Sequence, residues 1–220
     1  MAENPWNEIF TERGRFFTEV HEDIARISTR LSRLNAVQVL DLGSGSGRHL
    51  VHFARLGFSV CGLDDSSVGT RLARHWLASE GLTADLRTGS MHDPLPYTDE
   101  FFDAVIAVQV IHHARLAAIR RLVGEMTRVL KPGGQLLVLE FSRPAQALKP
   151  LYDAYSFSVL PWLGKMVAKD EASYRYLAES IRRFPDQPTL LGMMQEAGLE
   201  NCRYHNLSGG IVALHRGYRL

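Results

Sequence analysis

Residues Val39 to Gly47 read Val-Leu-Asp-Leu-Gly-Ser-Gly-Ser-Gly, an apolar run that passes directly into a turn with glycine at every second position and then into helical spacing. A strand feeding such a turn and helix builds a nucleotide-type ligand site. The glycines allow a tight turn and close approach of the backbone to the ligand, and a helix starting near Gly47 offers the N–H groups of its first turn. Such a turn does not identify its ligand by itself, so the spacing of the surrounding residues carries the argument.

From Ala36 to Ser142, short β-branched runs alternate with helical spacing. The runs are Val37 to Leu42, Phe58 to Leu63, Ala104 to Val110 and Gln135 to Phe141. Between the last two, Leu116, Ile119, Leu122, Val123, Met126 and Leu130 recur at intervals of three and four, and Lys131-Pro132-Gly133-Gly134 ends that helix. Strands alternating with helices imply a parallel sheet covered on both faces. Phe16, Val20, Ile24, Ile27 and Leu31 predict a helix before this core. Pro144 to Pro188 is aromatic-rich and lacks strand alternation, which predicts a helical insertion over the strand ends. A helix around Thr189 to Ala197 and strands near Glu200 to Asn206 and Ile211 to Tyr218 complete the pattern.

With 220 residues, one domain is expected, divided into a helical segment (1–35), a ligand-binding core (36–142), a helical lid (143–188) and a tail of helix and antiparallel strands (189–220). Lys and Arg number 25 against 24 Asp and Glu, so no electrostatic footprint for nucleic acid stands out. Cys61 and Cys202 lack metal-ligand spacing and read as reduced thiols, so no metal site is expected and a cytoplasmic location is. The N-terminus lacks the pattern of a secretory signal, and no apolar run approaches the roughly 18 residues of a membrane span.

Asp64 ends the second apolar run. In nucleotide-binding sheets, an acid about 20 residues past the glycine turn accepts hydrogen bonds from the ribose hydroxyls. The competing reading is a helix N-cap, a role that Asp65 or Ser66 could fill equally well. The turn itself has glycines at 43, 45 and 47 rather than the dinucleotide spacing, with Asp41 ahead of it.

This string resembles the first motif of class I S-adenosylmethionine-dependent methyltransferases. The resemblance implies an α/β fold, a Rossmann-like three-layer sandwich whose seven-stranded, mostly parallel sheet has one antiparallel strand, the last. It also implies S-adenosyl-L-methionine as cofactor, with the glycine loop carrying its methionine part and Asp41 facing its charged end. Asp64 matches the family's ribose acid. Gly89-Ser90-Met91 and Leu95-Pro96-Tyr97 resemble the adenine-side loop, with Ser90 where the family often has aspartate. Phe102 to Val105 matches the fourth strand, and Arg128 to Gly134 the entry to the fifth. The expected cofactor residues are Asp41, Gly43, Ser44, Gly45, Gly47, Asp64, Asp65, Ser90, Met91 and Gln109.

Toward the C-terminus the resemblance narrows. Residues 128–142, RVLKPGGQLLVLEFS, with Tyr152 to Phe157, Ser173 to Ile181, Pro185-Asp186-Gln187 and Val212 to Tyr218, closely resemble the ubiquinone/menaquinone biosynthesis C-methyltransferase (UbiE-type) family. This implies a lipophilic, prenylated quinol as substrate. NPWNEIFTERGRFF and Gln109-Val110-Ile111-His112-His113 look instead like generic type-11 methyltransferases, His112-His113 standing where the quinol family typically has arginine-asparagine. The chain therefore reads as chimera-like, a junction of two related lineages near Arg128. A small metabolite, a modified tRNA base and cofactor binding without turnover are the alternative readings.

His112 and His113 are the candidate catalytic residues. An unperturbed histidine pKa of about 6.5 suits proton abstraction near neutrality, and open α/β sheets bind ligands at the C-terminal ends of their strands. The structural alternative is that one caps the next helix or packs beneath the loop. Asp103 and Glu140 read as structural residues at strand ends. Tyr152, Tyr155 and Trp162 are expected to line the substrate side of the lid, against the plainer reading that such aromatics are core. Arg175, Arg182, Arg183, Lys165 and Lys169 read first as a solvated face and second as peripheral contact with anionic lipid at the inner membrane face.

Overall fold

The computed structural model describes residues 4–15, 17–144, 180–181 and 183–220, and for His113 the backbone alone. Seven strands form one sheet in the order β3-β2-β1-β4-β5-β7-β6. They are β1 (Gln38–Leu42), β2 (Ser59–Asp64), β3 (Asp85–Thr88), β4 (Phe102–Val108), β5 (Leu130–Phe141), β6 (Leu199–Leu207) and β7 (Val212–Arg219). β1 to β5 pair in parallel, while β7 runs antiparallel to both β5 and β6, so the last strand is the one reversed strand.

The central strands are apolar on both faces because helices cover both. Alternate residues divide between two cores. Leu40, Leu42, Val105, Leu136 and Val138 face α5 (Leu116–Val129) and α6 (Gln187–Glu196). Val39, Ile106, Leu137 and Leu139 face α2 (Glu22–Arg33), α3 (Arg48–Arg55) and α4 (Ser67–Ser79). The period of two along each strand thus becomes two separate hydrophobic layers.

The N-terminal part differs from expectation. The continuous apolar stripe proposed from Phe16 to Leu31 is interrupted, because His21 caps α2 and Glu22 and Asp23 occupy its first turn, leaving Val20 outside the helix. An additional helix, α1 (Pro5–Arg13), precedes it, started by an Asn4 cap and a proline at its first position. Lys131 to Gly134 does not lie beyond the strand. Helix α5 ends at Val129, β5 begins at Leu130, and the ladder to β4 shifts register between Phe102 and Ala104, where Gly133 takes a φ of +81°. β3, a short edge strand, also lay outside the four runs. The described part of the 143–188 insertion is confined to its two ends.

Strand order reverses between β1 and β4, which pair as Leu42 with Ala107. That switch point leaves a crevice at the C-terminal ends of the two strands, between the connections leaving in opposite directions. The loop after β1 and the turn after β4 both open there.

Candidate functional site

Asp41, in β1, is 1% exposed, and neither carboxylate oxygen has a hydrogen-bond partner among the described residues. Burial pushes its pKa up to about 7, against the pull of the nearby Arg48 guanidinium and with a further push from Asp64. The closest imidazole is His49, whose Nδ1 lies 4.0 Å from Asp41 Oδ1. Burial, then the adjacent cations, lower the His49 pKa to about 3, so that ring is neutral at physiological pH and supplies no counter-charge. A buried carboxylate without donors is costly, and a cationic ligand would remove the cost. The ammonium of S-adenosylmethionine fits these two carboxylate oxygens in charge and in hydrogen-bonding capacity.

In the loop that follows, most backbone amides have partners within the protein. The N–H groups of Gly43 and Ser44 go to Leu63 O at 2.8 and 3.3 Å, that of Gly45 to Asp64 Oδ2 at 2.8 Å and that of Gly47 to Ser44 O at 3.0 Å. The first three hold the turn against β2 and the last closes the loop on itself, so these amides give the loop its shape. A Cβ on Gly43, already at φ +74°, would meet Val110 Cγ1 at 2.5 Å. A Cβ on Gly47, at φ +94°, would meet Ala73 Cβ at 2.8 Å, so Gly47 serves the packing of α3 against α4. Gly43→Ala is expected to destabilise the fold by at least about 2 kcal/mol through strain and overlap. Thermal unfolding checks this, with a Tm drop of roughly 4–8 °C.

At the end of β2, Asp64 is braced rather than capping. Its Oδ2 accepts from Gly45 N and its Oδ1 from Ser66 N, both at 2.8 Å, and it remains acceptor-rich because each oxygen has a second lone pair. Ser66 is the cap of α4, accepting from Gly69 N through Oγ at 2.9 Å, which settles the N-cap question in favour of Ser66. Asp65 is exposed and accepts from Asn4 Nδ2 at 2.8 Å, so it ties α1 to this corner. Asn7 Oδ1 adds to the tie by accepting from Ser66 Oγ at 2.8 Å, and Phe10, 5% exposed, packs over the Gly45–Gly69 contact. α1 therefore covers the outside of the glycine loop. Its signal was readable in Asn4-Pro5 and the buried Phe10.

Across the crevice, β4 ends at Val108, and the next residue, Gln109, adopts φ +55°, an uncommon left-handed conformation for a non-glycine residue, while its N–H donates to Leu139 O at 2.8 Å. The chain then makes a 3₁₀ turn, Ile111–His113. Glu140, fully buried near the C-terminal end of β5, holds this turn. Its Oε1 accepts from Val110 N and Ile111 N, each at 2.6 Å, and its Oε2 accepts from His112 Nδ1 at 2.9 Å and from its neighbour Phe141 N at 3.2 Å. The Phe141 ring meets the His112 ring edge-on, with centroids 5.3 Å apart.

The two carboxylates paired in the sequence reading thus lie at opposite ends of the strands. Asp103 is structural, accepting from Val37 N, Gln38 N and Lys131 Nζ at 2.8, 2.7 and 2.8 Å. Glu140 lies at the ligand end, where sequence reasoning had assigned it no site role.

Ser90 Oγ accepts from His92 N at 3.1 Å in the loop after β3, and the half-buried Met91 packs against the core. Leu95 to Tyr97 is anchored by Arg128, which donates to Leu95 O, Tyr97 O, Glu125 and Asp99, while Leu95 N donates to Glu125 Oε2. Arg128 is therefore an internal tie between upstream and downstream segments.

The model of the ubiE/COQ5 methyltransferase family matches residues 19–219. A ubiquinone/menaquinone biosynthesis C-methyltransferase UbiE of Bordetella parapertussis is 48% identical over 187 residues, covering 84% of this chain and 71% of the relative. The corresponding Vibrio parahaemolyticus protein is 45% identical over 188 residues, covering 83% and 71%. The chain belongs to the ubiE/COQ5 methyltransferase family. The match runs through Arg128 and extends well upstream of the C-terminal third that carried the resemblance. Among solved structures, an O-methyltransferase family protein from Burkholderia thailandensis superposes with a TM-score of 0.67 at 17% identity, covering 97% of this chain and 58% of its own. A Pyrococcus horikoshii protein gives 0.65 at 20% identity, covering 97% and 99%; both likenesses concern the fold.

This family member is an S-adenosylmethionine-dependent methyltransferase with a class I fold. Asp41, the glycine loop and Asp64 stand on one side of its switch point, with Gln109 and His112 on the other. Asp65 points to solvent and α1, and Gly47 to α4. Tyr152, Tyr155 and Trp162 lie outside the described residues, as does the His113 side chain. Among the described residues, no helix is long and apolar enough to cross a membrane, and no cluster of three or more His, Cys, Asp or Glu could hold a metal ion.

Proposed function

We propose that this enzyme methylates a ring carbon of a prenylated quinol, as in ubiquinone and menaquinone biosynthesis, with His112 as general base. The observation that carries the base assignment is the buried Glu140–His112 pair at the C-terminal ends of β5 and β4, close to Gln109 and across the switch point from Asp41. The acceptor class rests on the 45–48% identity to proteins that bear the C-methyltransferase name.

When bound, S-adenosylmethionine supplies a methyl group on a sulfonium, open to in-line attack. Asp41 holds the ammonium end, Asp64 accepts from the ribose hydroxyls and the Gly43–Gly47 loop admits the methionine part closely. Removal of a hydroxyl proton by His112 makes the adjacent ring carbon electron-rich, and the remaining work is alignment and exclusion of water. Tyr152, Tyr155 and Trp162 supply an apolar cover for the ring and the start of the tail. Weak contact of the insertion's basic residues with anionic lipid would bring the enzyme to a membrane-dissolved substrate.

Incubation with labelled S-adenosylmethionine and a panel of demethylmenaquinol, a demethylated benzoquinol, bulk tRNA and small phenols tests this reading. Label in the quinols alone is expected; label in tRNA or in small phenols alone would replace it. Tyr152→Ala, Tyr155→Ala and Trp162→Ala are each expected to raise KM for the quinol roughly tenfold, as loss of apolar pocket contacts does. Unchanged kinetics in all three would remove the lid assignment.

A further inference from the structure

Glu140 is fully buried and accepts four hydrogen bonds. A carboxylate only accepts, so His112 Nδ1 must carry a proton toward it, which leaves the lone pair of the neutral ring on Nε2. We infer that Glu140 is the positioning residue of this site, setting the tautomer and ring plane of His112 while fixing, through the same carboxylate, the turn against which the cofactor loop packs.

The bonds divide this work between the two oxygens. Oε1 holds Val110 N and Ile111 N, and the Val110 side chain is the surface that closes on Gly43, allowing no Cβ there. Oε2 holds the imidazole, whose remaining freedom to turn is blocked by the edge-on Phe141 ring. One buried group thereby sets the spacing between the donor side of the crevice, at Gly43, and the acceptor side, at His112. A shift of about 1 Å between reacting groups is enough to cost about a hundredfold in rate, so a single anchor common to both sides has catalytic value.

The inference rests on the reading of His112 as base, but its geometric part can be tested separately. In Glu140→Gln, the amide oxygen is held by Val110 N and Ile111 N, so the NH₂ group turns toward His112. It can only donate there, which forces Nδ1 to become the acceptor and places the proton on Nε2. Nitrogen NMR of histidine-labelled protein, with His112 assigned by its loss in His112→Asn, reads this directly. The wild-type enzyme is expected to show Nδ1–H and unprotonated Nε2 in the neutral ring, and Glu140→Gln the reverse.

Alongside the reversal, kcat is expected to fall at least about a hundredfold, in line with the loss caused by a wrong histidine tautomer in other enzymes, while the dissociation constant for S-adenosylmethionine changes less than about twofold. Nε2–H in the wild-type protein, or an unchanged tautomer in the variant, overturns the inference. Tautomer reversal with kcat intact upholds Glu140 as the group that orients His112 and overturns the base assignment instead. The wild-type spectrum needs only His112→Asn for its assignment, so failure of Glu140→Gln to fold leaves the test decisive.

Discussion

Replacing His112 with asparagine is expected to lower kcat by about 10²-fold or more, the usual share of a general base, with S-adenosylmethionine affinity held within about twofold. Asparagine is the informative substitution because its Nδ2 can take the place of the imidazole Nδ1 and keep donating to Glu140, which preserves the turn made by Val110 and Ile111. The ability to accept a proton at Nε2 is lost. His113→Asn is the companion variant, and the double replacement covers the case in which both rings serve. Steady-state kinetics with the quinol, combined with calorimetric titration of the cofactor, separates the two effects. Turnover of the double variant equal to wild type would remove histidine from the mechanism.

The second large effect belongs to Asp41. A charge-assisted hydrogen bond to a buried carboxylate contributes about 1.5–3 kcal/mol, so Asp41→Asn is expected to weaken S-adenosylmethionine binding roughly 10- to 100-fold. The wild-type affinity should also depend on pH. The Asp41 pKa stands near 7 in the free protein, so below that value a proton competes with the cofactor, and affinity should fall by up to about tenfold per pH unit. In Asp41→Asn that slope should disappear. Cofactor titrations between pH 5 and 8 test both statements, and equal slopes in the two proteins would contradict them.

The same group sets a stability trend with an unusual sign. Between about pH 4 and 7, native Asp41 holds a proton that the unfolded chain, with its ordinary value of 3.8, has lost. Stability from this residue therefore falls as pH rises through that window. His49 opposes it: between about pH 3 and 6.5 the unfolded chain binds a proton that the buried native ring does not, so its contribution rises with pH. The opposition flattens the wild-type profile at mildly acidic pH. Three pKa units for Asp41 correspond to about 4 kcal/mol by pH 8, and an asparagine amide in the same place forfeits about 1–3 kcal/mol for its own unmet hydrogen bonds. Asp41→Asn should thus be more stable than wild type at pH 8 by about 1–3 kcal/mol, a Tm rise of roughly 2–12 °C. A residue that costs stability while improving cofactor binding is what a charge kept ready for a cationic ligand should look like.

Sequence patterning carried much of the architecture because its signals are local. Unbroken burial along Val39–Leu42 and Ala104–Val108 marks strands covered on both sides, and Ile119, Leu122, Val123 and Met126 mark the buried face of α5. β3 escaped because a short edge strand buries only Leu86 and exposes Asp85, Arg87 and Thr88. α1 escaped because its stability comes from docking: Asn4, Asn7 and Phe10 attach to residues about 35 to 61 positions away, at Gly45, Asp65, Ser66 and Gly69, and no periodicity expresses that.

The grouping of Asp41, the glycines and Asp64 at one corner was legible for the same reason as the strands, since one strand-turn-helix unit and the strand beside it set their places. Their individual tasks were not. Whether a glycine clears space for a ligand or for a neighbouring helix depends on what a Cβ would strike, Val110 at Gly43 and Ala73 at Gly47. Glu140 illustrates the same limit. Twenty-eight residues separate it from His112, and only the pairing of β4 with β5 brings the two within 2.9 Å.

The central claim is methyl transfer from sulfur to a quinol ring carbon. Its most direct measurement uses S-adenosylmethionine bearing a ¹³C-methyl group, with reduced demethylmenaquinol as acceptor and carbon NMR of the isolated product. A single labelled methyl bonded to the quinol ring is expected, formed in the wild-type enzyme and nearly absent in the His112→Asn, His113→Asn double variant. Label on a quinol oxygen, or bound cofactor with no labelled quinol at all, would contradict it.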